Sequence, residues 1–178
     1  MQDSSPYKRE LADFAASFER RQARQIWREA SVARAERMLF IGFLYVRKLI
    51  ECRKVTDAAA RFSVEILRST ITRSREVSDF RREDLEKDLA GATWSDSRVD
   101  VQQIADKVLH SWWLVPVRGP STGLAAFILT TDRQRNSELW QLPVSSIVAV
   151  YDKFAEDDIV QLRMSRDDNG RLTYWNAT

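Results

Sequence analysis

The chain has 178 residues, 44% of them hydrophobic and 30% charged, with five glycines, four prolines and one cysteine. Those values suit one packed domain and exclude a disordered chain, an internal disulfide framework and a loop-rich fold. The net charge of +2 is uneven: residues 1–90 hold 19 basic against 15 acidic side chains, residues 91–178 hold 9 against 11, and Arg20 to Arg82 holds 16 against 7.

Tyr7, Leu11, Phe14 and Phe18 step by four, three and four, which marks one face of a helix. Residues 7–54 contain no proline and one glycine, Gly42. The pattern predicts either one helix about 70 Å long, at roughly 1.5 Å per residue, or two helices with a break in residues 28–33. Met38 to Val46 is the one long uncharged run, and it ends at Arg47-Lys48. A membrane span needs roughly 20 apolar residues, about twice this length. The charge-crowded start gives no secretory signal either. These features predict a buried helix in a soluble, cytoplasmic protein with no membrane partner. A helix apolar all round is covered all round, by the chain's own helices and sheet or by a second subunit. The second option makes Phe40, Ile41, Phe43, Leu44 and Tyr45 candidates for self-association.

"KVTDAAARFSVEILRS" predicts a turn and a new helix capped by Thr56 or Asp57. "DFRREDLEKDL" resembles an exposed helix laced with salt bridges, and "AGATWSDS" a loop. Val101, Ile104, Ala105, Val108 and Leu109 restore a helical face, with Ser97 or Asp100 as cap. "SWWLVPVR" and "LAAFILTT" predict strands around a "GPSTG" hairpin, both apolar on two faces and therefore central. "ELWQL" adds a third strand, and "PVSSIVAVYDKFAEDD" favours a helix over a strand. "DIVQLRMS" and "RLTYWNA" flank the tight-turn signal Asn169-Gly170. Val160, Leu162 and Met164 should face one way, against Leu172 and Tyr174.

The fold class expected is α+β in a single domain, residues 1–178. A long helical hairpin or small bundle over residues 7–110 packs on an antiparallel sheet of about five strands from residues 111–178.

Chemistry is scarce. One histidine, His110, and one cysteine, Cys52, cannot build a closed zinc site. A histidine at a helix C-terminus is explained by the helix dipole alone. The glycines of "RGPSTGLA" lack the Gly-Lys-Ser/Thr of a phosphate loop. Acidic clusters at Glu83-Asp84-Glu86-Asp88, Asp157-Asp158 and Asp167-Asp168 read as a solvated helix face and two turns. No catalytic residue, metal or cofactor is expected. Arg20, Arg24 and Arg28, with Arg21 beside them, predict a guanidinium ridge on the first helix, extended by Arg34 and Arg37. Such arrays bind anions and nucleic-acid backbones, although ordinary surface charge explains them as well. Trp112, Trp140 and Trp175 are a possible aromatic surface, with simple burial as the plainer reading.

The expected function is a non-enzymatic binding or regulatory protein acting through helical surfaces, on a protein partner or on itself as a homodimer. RNA or DNA binding through the arginine face is the alternative. A metal-dependent nuclease or other hydrolase comes third.

Overall fold

A computed structural model describes residues 3–23, 28–70, 89, 92–120, 123–135 and 137–178 of the chain. Helix α1 (Ser5–Gln22) and helix α2 (Glu29–Glu51) form an antiparallel hairpin. Tyr7 meets Tyr45 edge-on at 5.0 Å, Glu10 accepts from the Tyr45 hydroxyl at 2.9 Å, and Arg21 donates to the Ser31 carbonyl at 3.1 Å. The break between the helices falls between the C-cap Ala23 and the N-cap Arg28, earlier than the pattern predicts.

Thr56 is the N-cap expected, and its hydroxyl accepts from the Ala59 N–H at 3.2 Å. The helix it starts is one turn, α3 (Asp57–Ala60), and the chain then runs into strand β1 (Ser63–Thr70). Val64 and Ile66 are buried while Glu65 is exposed. That alternation belongs to a strand and overrides the helical reading of this segment. Strand β2 (Ser95–Asp100) replaces the expected loop. It buries Val99 alone, so hydropathy gives it no signal. The predicted helix in "DFRREDLEKDL" lies outside the described residues.

Helix α4 (Val101–Leu109) is capped by Asp100, whose carboxylate accepts from the Gln103 N–H at 2.8 Å. Strands β3 (Ser111–Arg118), β4 (Leu124–Thr131) and β5 (Glu138–Pro143) follow, with a 3-10 turn at Asp132–Gln134 before β5. Helix α5 (Val144–Glu156) confirms the helical reading of its segment. Strands β6 (Leu162–Arg166) and β7 (Leu172–Ala177) close on Gly170, whose φ of 75° suits glycine.

The main sheet has five antiparallel strands in the order β2-β1-β5-β4-β3. Two of them come from the part read as helical, and β6–β7 form a separate two-stranded sheet. β4 is interior and buried almost throughout, as its sequence demands, whereas β3 is an edge strand. Pro116 supplies the reason: without an N–H it cannot pair on both sides. In the small sheet Leu162 pairs with Ala177 and Met164 with Trp175, not with Leu172 and Tyr174 as the sequence suggests.

Helices α1, α4 and α5 touch the sheet, and α2 packs across all three. Much of the apolar belt is thereby covered by the chain itself. Phe43 is fully buried against Tyr151 at 5.4 Å, and Tyr151 also meets Phe18 and Phe14. Phe40, Ile41 and Tyr45 are half-buried, and Leu44 is exposed. Among the described residues no helix is long and apolar enough to cross a membrane.

Candidate functional site

Helix α4 is amphipathic. Val101, Ile104, Ala105 and Val108 point into the core, while Gln103, Asp106, Lys107 and His110 fall at i, i+3, i+4 and i+7 on another face. That polar face forms one wall of a cleft of about 660 Å³. Arg68 of β1 and Trp140 of β5 form its floor, and Thr131, Asp132, Arg133 and Gln134 close the far side. The pairing of β1 with β5 sets Arg68 directly across from Trp140.

Glu138, two residues before Trp140 on β5, organises the charges. One carboxylate oxygen accepts from Arg68 Nε at 2.7 Å and from Arg68 Nη2; the other accepts from Lys107 Nζ at 3.1 Å. Burial alone would push the Glu138 carboxyl up, but the hydrogen bonds from Arg68 and Lys107 outweigh it and hold the group below its ordinary value. The Trp140 indole favours the charged carboxylate as well, although its N–H completes no hydrogen bond among the described residues.

Lys107 is the most enclosed cation here, with a side chain 5% exposed. Its ammonium lies 4.4 Å from the Trp140 ring centroid, and it also donates to Gln134 Oε1. Arg68 approaches the same indole at 5.4 Å. Burial lowers the Lys107 amine from its ordinary value, and the nearby Arg68 acts in the same direction, against the opposing pull of Glu138. Two cations on one aromatic ring satisfy the electrostatics of the ring face but repel each other. The shared carboxylate is what makes that arrangement stable.

The remaining carboxylates of the cleft are already engaged. Asp106 accepts from Arg47 Nη1 at 2.7 Å, and Asp132 pairs with Arg135 at 3.5 Å. Arg68, Lys107 and Arg133 reach the cleft against Asp106, Asp132 and Glu138, so its cations and carboxylates balance three to three. In a concave, half-enclosed space, cations held in place by a shared carboxylate keep further N–H donors that an anion can accept.

The residues singled out in the sequence lie elsewhere, Trp140 and His110 excepted. The arginines do not make one ridge, because the first helix ends at Gln22 and Arg28 opens the second. Arg21 is buried at 6% exposure, and Arg20, Arg28, Arg34 and Arg37 are exposed; Arg24 lies outside the described residues. The tryptophans share no surface. Trp112 is exposed beneath Arg135 at 5.0 Å, Trp140 is buried in the cleft floor, and Trp175 sits on the β6–β7 hairpin under Arg53 at 5.0 Å.

Of the acidic pairs, Asp157 is a buried anchor. Its carboxylate accepts from the Thr56 N–H at 2.8 Å and the Thr56 hydroxyl at 2.5 Å. Asp167 holds the β6–β7 turn, accepting from the Asn169 and Arg171 N–H groups. The cluster at Glu83 to Asp88 lies outside the described residues. No group of three or more metal-ligating side chains gathers among the described residues.

Comparison with protein families, with curated proteins and with solved structures finds no match to this chain.

Proposed function

We propose that the protein is a binding module whose site is the cleft between α4 and the β1–β5 edge, and that its ligand is a small organic anion. The observation carrying this reading is the shared Glu138 carboxylate. It fixes Arg68 and Lys107 side by side over Trp140, with N–H donors to spare. Fixed cations in a partly dry cleft bind an anion more strongly than the same groups in water, because little reorganisation is required. The class of function remains binding, but the surface moves from the helical exterior to the cleft.

The test is thermal and calorimetric titration of the full chain at low ionic strength with organic anions such as citrate, benzoate and glycerol 3-phosphate, with glycerol as the neutral control. Saturable stabilisation by at least one anion, weakened by Arg133→Glu, supports the reading. Arg133 is exposed, so this exchange leaves the fold intact. Equal, non-saturating responses to every anion and to glycerol overturn it.

A second reading is supported by the hairpin geometry. The antiparallel arrangement brings the end of α1 and the start of α2 to one end of the molecule, where Arg20 and Arg28 are both exposed, with Arg34 one turn and a half further along α2. RNA or DNA would bind there through phosphates, with affinity falling steeply as salt is raised. Loss of binding in the triple Glu variant of Arg20, Arg28 and Arg34 separates this reading from the cleft.

A further inference from the structure

The β6–β7 hairpin forms its own sheet, and its strands differ in what covers them. β7 is the inner strand: Ala177 is buried, Arg53 covers Trp175 at 5.0 Å, and Asn176 donates to the Asp57 carboxylate at 3.1 Å. β6 is the outer strand, and all five of its residues are exposed. Just before it, Gln161 and Thr178 exchange both backbone hydrogen bonds, at 2.8 and 3.0 Å. Antiparallel pairs alternate between bonded and non-bonded, so Leu162 against Ala177 and Met164 against Trp175 are non-bonded pairs. The N–H and C=O groups of Leu162 and Met164 therefore point away from β7, and no described residue pairs with them.

We propose that this edge takes a further strand from an extended acidic peptide, one that alternates apolar and carboxylate side chains. An open strand edge is a template for strand addition. Its outward groups are N–H donors and C=O acceptors in alternation, which a peptide backbone matches and an acceptor-only phosphate backbone does not. The two faces of β6 supply the selectivity. Leu162 and Met164, 45% and 56% exposed, share one face and offer apolar contact. Arg163 lies on the other face and makes no ion pair with a described residue; Arg166 follows beyond a bulge, and β6 holds no carboxylate side chain. A second copy of β6 would add its own arginines beside these, and like charges close across a strand pair are destabilising. An acidic strand meets them with opposite charge. A lone two-stranded ribbon is marginal in water, so a third strand also steadies the hairpin.

The experiment is a titration of the full chain at low salt with a short labelled peptide that alternates valine and glutamate, followed by fluorescence anisotropy. A valine–lysine peptide, a single-stranded oligonucleotide and a fully N-methylated valine–glutamate peptide are the comparisons. The glutamate peptide should bind saturably and about tenfold or more tightly than the lysine peptide, a difference of roughly 1.4 kcal/mol. N-methylation should abolish binding, because it removes the donors that pair with β6. Amide hydrogen exchange at Leu162 and Met164 should slow on binding. Met164→Pro removes an N–H that faces outward, so it leaves the β6–β7 hydrogen bonds in place. It should weaken peptide binding about tenfold with little change in melting temperature, and Arg163→Glu should reverse the preference between the two peptides. Equal binding of the glutamate and lysine peptides overturns the proposal. Tighter binding of the oligonucleotide overturns it as well, and so does protection that falls on α4 at the cleft instead of on β6. Dimerisation without peptide, abolished by Met164→Pro, makes the occupant a second copy and overturns the acidic partner. No saturable binding to folded protein also overturns it.

Discussion

The ring of Tyr151 occupies the space that a side chain at position 42 would fill. A methyl group on Gly42 would overlap the Tyr151 ring carbons and hydroxyl. Because that space is open, the Tyr151 hydroxyl reaches the backbone of α2, donating to the carbonyls of Met38 at 3.2 Å and Leu39 at 3.0 Å. The one glycine in the long helical segment is thus a seat for a fully enclosed aromatic residue of α5.

Gly42→Ala tests that seat. Alanine favours a helix over glycine by about 1 kcal/mol, so an unconstrained site would gain stability. Here the overlap should reverse the sign, giving a net loss of roughly 1–3 kcal/mol typical of overpacking. Urea denaturation measures it. Shortening the ring with Tyr151→Leu should make the same alanine nearly harmless, and a Gly42→Ala variant as stable as wild type would refute the packing account.

Tyr151 also sets an alkaline limit. Full burial holds its phenol well above the ordinary value. In the unfolded chain the same phenol ionises near about pH 10. The unfolded state therefore loses a proton before the folded state does, and stability falls as pH rises past that point. Below it the contribution is complete. Denaturation midpoints between pH 8 and 11.5 should decline at the upper end, and Tyr151→Phe should flatten the decline at a cost of about 1 kcal/mol near neutrality.

Asp157 joins segments far apart in the chain. Its carboxylate takes both the N–H and the hydroxyl of Thr56, and its backbone carbonyl takes the ammonium of the buried Lys8. Asp157→Ala leaves a buried backbone N–H without an acceptor, so a loss of roughly 2–4 kcal/mol is expected. Thr56→Val removes the hydroxyl bond and the α3 cap but not the N–H bond, and should cost less, about 1–2 kcal/mol. An order of effects opposite to this one would show that the cap dominates.

Glu138 carries the charge balance of the cleft. Glu138→Gln leaves Lys107, 5% exposed, without its counter-ion. A loss of roughly 2–4 kcal/mol is expected, below the largest buried-pair values because Arg68 is partly solvated. Adding Lys107→Met should recover most of it, since an apolar side chain can rest on Trp140. The single variant should also be rescued by added anions more than wild type is; indifference to anions would argue against the site.

Local chemistry made much of this fold legible. The Leu11 and Phe18 stripe, the Asp100 cap, the β3–β4 hairpin and the Asn169-Gly170 turn each depend on neighbours within a few residues. β1 escaped because "SVEILRST" follows a true helix cap and is short enough to fit either period. β2 escaped because an edge strand with one buried residue has no hydropathy signature. The cleft escaped with them: residues 68, 103–110, 131–134 and 138–140 converge only once β1 lies beside β5. The spacing of Gln103, Asp106, Lys107 and His110 was visible as a polar stripe, but nothing in the sequence said what faced it. The arginine ridge failed for a plainer reason, since it assumed a helix that stops before Arg24.

The position of β1 also constrains how the molecule can be made. Leu67 to Thr70 pair with Glu138 to Gln141, so the centre of the sheet cannot close on a ribosome until most of the chain has emerged. Until then the hairpin helices hold an apolar flank with no sheet to cover it. Long-range closure of this kind slows assembly, and a chain cut near residue 110 should yield two fragments that are each insoluble but can complement one another when synthesised together.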